Sequence, residues 1–378
     1  MARLVISTVG TSVLTNQIDR DIDDNYYERL QQTANYTDKE IQDDPKIKEI
    51  ISELKERAEQ ELSSNNTDKI RKASAELNGI YGLYNEQIEQ GIPDMHLLVT
   101  TDTAQGRVAA EVVESFLNSK GLTNISTHAQ PGLSTASSDI FVEGMAKLIP
   151  FMQENIKKYK DCRYEICFNL VGGFKALQGY FNTIGMFYAD EIIYVFEGSN
   201  QLIKIPKLPV KVDVSEIKPY KVQLAMMDVG EISTSWEEAQ KVPKEWVFVI
   251  EPKMTLSAWG KLLWDQCKKE LLSKEKPLPF PKLEYHQSFL DDYEPKPDHE
   301  KIILQENLAR AACLLKNHKD GISAMKQDGI FRLRRYVGKH KDIDHFDLPK
   351  DRRVSCIARE GTLYLRHYGE HNYVNNNP

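Results

Sequence analysis

Cysteine is scarce in this chain of 378 residues: five in all, at positions 162, 167, 267, 313 and 356, an odd number with no CxxC pair. That argues against a disulfide framework and against a zinc site, and it points to a reducing compartment. No apolar run approaches the roughly 20 residues that cross a bilayer, so no membrane partner is expected. The opening MARLVISTVG has no signal-peptide cleavage pattern and reads as an immediate strand, which makes the expected location cytoplasmic. Neither GxxxxGK(S/T) nor GxGxxG occurs, internal repeats are missing, and VNNNP at the end is the one low-complexity stretch.

What is present suits a globular chain of two or three domains, 41% hydrophobic and 28% charged. The net charge of −7 gives little encouragement to a nucleic-acid partner, but the charge is unevenly spread. Positions 284–306 carry seven acids against two lysines, whereas 329–371 carry ten Lys/Arg, six acids and four histidines. A local basic face can hold RNA; a solvated mixed-charge surface explains the same counts.

Short apolar or β-branched runs at 3–8, 95–101, 124–129, 164–171 and 191–198 alternate with helical stretches, the pattern of an open, largely parallel α/β sheet. A charged, helix-favouring insertion at 17–90 reads as a helical hairpin beside that sheet. Prolines at 206 and 209 close this first domain, 1–205. A second cluster, at 277, 279 and 281, is a stiff linker. Between them, 206–275 holds all four tryptophans and an amphipathic helix, fitting a small winged-helix-like connector whose tryptophans are core. The remainder, 276–378, reads as α+β: a strand KLEYHQSFL, a helix DHEKIILQENLARAACLLK, and a hairpin RRVSCIA-REGT-LYLRHY.

Three strands end in loops of small and hydroxyl residues, STVGTS (7–12), TTDTAQG (100–106) and NLVGGFK (169–175). Ligands of open α/β sheets bind beyond the carboxyl ends of the strands, and such loops let backbone N–H groups approach a phosphate or ribose. Few cations accompany them, chiefly Arg107 and Lys175, which suits a nucleotide-like ligand better than a nucleoside triphosphate with magnesium. Together with the insertion and IIYVFEGS, these loops resemble the CRISPR-associated Rossmann-fold sensor (CARF) family over residues 1 to about 205. The resemblance implies a homodimer binding a cyclic oligoadenylate, with cyclic tetra-adenylate matching its two-fold symmetry as allosteric activator. By position, Gly10, Thr11 and Ser12 would contact one edge of the ligand, Thr103 and Gly106 the middle, and Gly172, Gly173 and Lys175 the phosphate. Some members cleave their ligand; Ser12 and Lys175 would be the residues concerned.

At the other end, RHYGEH places His367 and His371 four apart, a zinc spacing only on a helix, whereas TLYLRHY alternates as a strand; no metal is expected. RYVGKH and RHYGEH both match the R-x4-H pattern of HEPN ribonucleases, and EPK (294–296) is a formal ExK with a proline where a strand should run. The strand, helices and basic hairpin, with FRLRR, RRVSC and the closing LRHYGEHNYV, resemble RelE-type messenger-RNA interferases over about 283–378. That resemblance puts Arg353, His371 and Tyr373 at functional positions, with Arg334, His345, Lys350 and Arg366 as neighbours; the family's strand lysines are replaced by HFDLPKDRR. It implies metal-independent cleavage of mRNA in the ribosomal A site, with ribosome and message as partners and no cofactor for catalysis. Imidazoles exchange protons near neutral pH and guanidinium forks match phosphate oxygens, so the residue types suit the chemistry. The alternatives are a ribosome-independent HEPN-like RNase and a transcription regulator reading DNA through 213–275.

Overall fold

The computed structural model describes residues 1–196 and 200–378; positions 197 and 198 of the expected strand 191–198 lie outside them. The chain divides into two compact units, Met1–Val210 and Lys211–Pro378.

In the first unit six strands, β1 (Arg3–Thr8), β2 (Met95–Thr101), β3 (Ile125–Gln130), β4 (Glu165–Asn169), β5 (Glu191–Val195) and β6 (Leu202–Pro206), form one sheet in the order β3-β2-β1-β4-β5-β6. The first five are parallel and β6 runs antiparallel along the edge. This is an α/β protein with a mixed open sheet. Leu4, Val5 and Ile6 in succession are fully buried, because both faces of the sheet are covered. Phe168 of β4 meets Phe181 of the helix Lys175–Tyr188 with ring centroids 5.9 Å apart on one side. On the other side Val5, Leu98 and Ile193 share a core with Leu54, Leu77 and Ile80 of the insertion.

The insertion is five helices rather than a hairpin: Tyr26–Gln32, Asp38–Gln42, Pro45–Leu62, Thr67–Ala73 and Ala75–Leu83. Local capping divides it. Asp44, Asn66 and Ser74 each accept from a backbone N–H three residues on, and Ser74 both ends one helix and starts the next. Order β2-β1-β4 places the reversal of strand order beside β1, so the crevice beyond β1 and β4 is where this topology opens.

The second unit holds a three-stranded sheet of β7 (Ile232–Ser233), β8 (Val247–Ile250) and β9 (Lys253–Leu256), in the order β7-β9-β8. A five-stranded sheet follows: β10 (Leu283–Tyr285), β11 (Arg334–Arg335), β12 (Asp344–Leu348), β13 (Arg352–Arg359) and β14 (Thr362–Glu370), ordered β10-β14-β13-β12-β11. The expected strand KLEYHQSFL stops at Tyr285, and its second half is the helix Gln287–Tyr293, which buries Phe289 and Tyr293. A single core joins Met226 and Trp264 to Leu308, Phe346 and Tyr368. Phe346, Val354 and Tyr368 are register partners across β12, β13 and β14, so one face of the five-stranded sheet is apolar and packed. Alternation then turns His345, Asp347, Arg353, Ser355 and His367 to the opposite face. The short helix His371–Asn376 folds back from β14 against β13 and β14.

Candidate functional sites

Beyond the carboxyl ends of β1, β2 and β4 lies a cavity of about 330 Å³. Gly10, Thr11, Ser12, Thr103, Gly106, Gly172 and Gly173 all line it, together with Asn35, Ala75, Thr135 and Phe174, which the sequence reading did not name. Lys175 falls just outside, exposed at the first position of its helix. Arg107 is drawn aside to Asp38, 3.5 Å away. The loops close against one another: Gly173 sits at φ +89°, and a side-chain carbon at Gly10 would lie 2.9 Å from Gly173 N. Asn35 Oδ1 accepts from both the N–H and the hydroxyl of Thr135, each at 2.9 Å, tying the insertion to the loop after β3 at the cavity wall.

Under the floor is Glu76, fully buried. Its carboxylate accepts from Gly10 N at 2.8 Å, Ser74 Oγ at 2.7 Å and Ser12 Oγ at 3.1 Å, while Ser12 Oγ accepts from Ala75 N at 3.0 Å. Burial pushes the Glu76 carboxyl up, opposed by these donors. A Cβ at Gly172 would stand 1.9 Å from Glu76 Oε1, so glycine is required there by the carboxylate beneath. With its one proton directed at Glu76, Ser12 offers the cavity a lone pair, which suits a hydroxyl or amino donor on a ligand better than a phosphate. Nothing in AELNG signalled Glu76, because the cavity-loop partners Ser12 and Gly10 lie 64 and 66 residues away in sequence.

On the polar face of the second sheet, Arg334, His345, Ser355 and His367 are successive register partners across β11, β12, β13 and β14. One row along, Asp347 binds two guanidinium groups, Arg353 at 2.7 and 3.0 Å and Arg334 at 2.8 Å. Burial alone would raise the Asp347 carboxyl, but hydrogen bonds from Arg334 and Arg353 hold it below its ordinary value. Arg353 is almost fully buried and donates also to Asn375 Oδ1 at 2.6 Å, which in turn receives the Tyr336 hydroxyl at 3.0 Å. Tyr336 covers His345, ring centroids 4.1 Å apart. Burial, with Arg353 and Arg334 nearby, pushes the His345 imidazole down to about 4. His345 Nδ1 and the buried Ser355 Oγ have no protein partner.

The other expected residues of this end are dispersed. Lys350 sits in the turn between β12 and β13 at φ +61° and lines a separate small cavity with Glu300, Arg352 and Tyr368. Arg366 occupies the bulge where the β13–β14 register slips. His371 begins the last helix and its Nδ1 lies 3.1 Å from Asn375 Nδ2. The Tyr373 hydroxyl donates to Asp292 Oδ1 at 2.6 Å, which raises it to about 12. Asp292, Asp347, Asn375 and Tyr336 escaped the sequence reading; Asp292 and Asn375 meet partners as far as 81 and 39 residues away, and Asp347 and Tyr336 meet theirs only once the strands pair. Neither R-x4-H copy lies on paired helices, since Arg335 and Arg366 are on strands. Glu294 of the formal ExK follows a helix, outside any strand. Among the described residues no group of three or more His, Cys, Asp or Glu side chains is placed to hold a metal ion, and no helix is long and apolar enough to cross a membrane.

Residues 71–208 match the family model described as a CRISPR-associated protein (Cas_APE2256). The match starts at Arg71, runs through Glu76, Thr103, Gly106, Gly172 and Gly173 to just past β6, and leaves out 1–70, with β1, Gly10, Thr11 and Ser12, and 209–378. It supports a CRISPR-associated protein with a role in CRISPR defence.

Proposed function

We propose that the chain is a cyclic oligoadenylate-activated endoribonuclease, a CARF-like sensor unit governing a metal-independent, RelE-type cut of messenger RNA at the ribosomal A site. The observation that carries the sensor half is the convergence of all three glycine-rich loops on one cavity at the reversal of strand order. The cavity of about 330 Å³ is too small to enclose a four-nucleotide ring, so the reading is a homodimer, cytoplasmic as expected from the sequence, whose two cavities share a ligand of matching two-fold symmetry.

The cutting half rests on the polar row of the five-stranded sheet. Removing the 2′-hydroxyl proton, steadying a phosphorane and releasing the 5′-oxygen need imidazole and guanidinium groups fixed on a rigid surface. Positioned acid–base groups contribute about 10²–10⁴-fold. Arg334 and Arg353, held around Asp347, supply positive charge where the phosphorane gains negative charge. Residues 221–256 run helix, strand, helix, 3-10 turn, strand, strand with sheet order β7-β9-β8, which favours a winged-helix-like connector. Its third helical element is the three-residue turn Lys244–Trp246, too short to read a DNA groove.

The test is to give translating ribosomes the full chain with and without cyclic tetra-adenylate and map cuts on the message. Ligand-dependent cleavage within ribosome-occupied codons is expected. Vigorous cleavage of free RNA, or ligand-dependent binding to promoter DNA without cleavage, would overturn the reading.

A further inference from the structure

Three elements converge on one imidazole of the polar face. His367 Nδ1 lies 2.9 Å from Asp292 Oδ2, on the helix Gln287–Tyr293. The same oxygen accepts from Tyr368 N at 3.0 Å, and Oδ1 accepts from the Tyr373 hydroxyl of the last helix at 2.6 Å. The pair is partly enclosed, with side chains 22% and 14% exposed for His367 and Asp292. The Tyr373 ring stands edge-on to the His367 ring with centroids 6.2 Å apart.

A carboxylate that already receives two other donors accepts from His367 Nδ1–H, which leaves the lone pair on Nε2. No protein group takes up Nε2 among the described contacts. The other two imidazoles of this face are arranged differently. His345 is buried behind Tyr336. Asn375 Oδ1 is occupied by Arg353 and Tyr336, so its amide NH2 donates to His371 Nδ1 and puts the ring hydrogen of His371 on Nε2.

We propose that His367 is the base of the cleavage, its tautomer set by Asp292, with Asp292 itself set by Tyr373; this rests on the ribonuclease reading above. His367 Nε2 takes the proton of a 2′-hydroxyl, and the 2′-oxygen bonds to the adjacent phosphorus. The bond from phosphorus to the 5′-oxygen breaks with its electron pair staying on oxygen. The leaving 5′-oxygen takes a proton from water, and the imidazolium returns one to the solvent, leaving a 2′,3′-cyclic phosphate. Asp292 and Tyr373 are positioning residues.

The experiment compares wild type, His367→Ala, Asp292→Asn and Tyr373→Phe as full chains with cyclic tetra-adenylate and translating ribosomes, checking ribosome co-sedimentation in parallel. His367→Ala is expected to cut at least about 100-fold more slowly while still sedimenting with ribosomes, and added imidazole is expected to restore part of the rate. Asp292→Asn is expected to lower kcat with KM unchanged and to shift the acidic limb of the pH–rate profile, where the base takes up its proton. Nitrogen NMR is expected to find the hydrogen on His367 Nδ1 in wild type and redistributed in Asp292→Asn. Wild-type cutting that His367→Ala leaves undiminished, or a loss that imidazole does not rescue, overturns this proposal alone. A wild type that cuts no message overturns the ribonuclease reading and this inference with it.

Discussion

Glu76 is stripped of water yet receives hydrogen bonds from Gly10, Ser12 and Ser74, and that balance has a measurable signature. Burial, the larger influence, lifts its carboxyl above the ordinary 4.5, so the folded chain holds this proton more tightly than the unfolded one. The stability this group contributes is complete below about 4.5 and is lost as pH rises through the folded-state value. Glu76→Gln removes the titration. Relative to wild type, its thermal midpoint is therefore expected to improve as pH climbs from 4.5 toward neutrality, followed by thermal scans across that range. A constant offset would mean that the carboxyl ionises like an exposed one. Asp347 makes the opposite case. Its carboxylate is the main partner of Arg353, whose side chain is only 4% exposed, and Asp347→Ala leaves that guanidinium buried with Asn375 alone. A loss of about 3–5 kcal/mol is expected in urea unfolding.

At the scale of elements, Ser74 is the joint between two helices and props Glu76 beneath the floor of the cavity. Its hydroxyl accepts from Leu77 N at 3.2 Å and donates to Glu76 at 2.7 Å. Ser74→Ala should cost about 1–2 kcal/mol as a lost helix cap and also weaken cyclic tetra-adenylate binding measured by titration calorimetry, because Gly10 and Ser12 are held through the same carboxylate. A stability loss with unchanged affinity would limit Ser74 to capping. The parallel strands were readable because both faces are buried, which writes runs such as RLVIST and MHLLVTT into the sequence. β6 was not, since its residues alternate weakly on an edge and end in Pro206. Leu283–Tyr285 and Gln287–Tyr293 merged into one expected strand because an apolar run this short has no period of its own. The loops that line the cavity were legible from local composition, glycine and hydroxyl residues after a strand. Asp292, Asp347 and Glu76 were not, because an acid's role is set by the partner that tertiary folding delivers. His371 drew notice through the RelE-type resemblance, but the fold gives the carboxylate to His367.

At the scale of the molecule, the core that the first sheet shares with the insertion, Val5 to Ile193, and the core of the second unit, Ile217 to Tyr368, have no residue in common. Separate cores unfold as separate cooperative units unless an interface locks them, so scanning calorimetry of the full chain is expected to resolve two transitions. A ligand stabilises only the unit whose folded form binds it. Cyclic tetra-adenylate at a hundred times its Kd should add about 2.7 kcal/mol to the first unit. The proposed activation demands more than binding, because the second unit would have to respond to an occupied cavity it does not contain. That response is a coupling free energy, typically about 1–3 kcal/mol, and it must appear as a ligand-dependent shift of the second transition. Ligand that raises the first transition alone, with message cleavage unchanged, would separate sensing from cutting and leave the cavity with a different output.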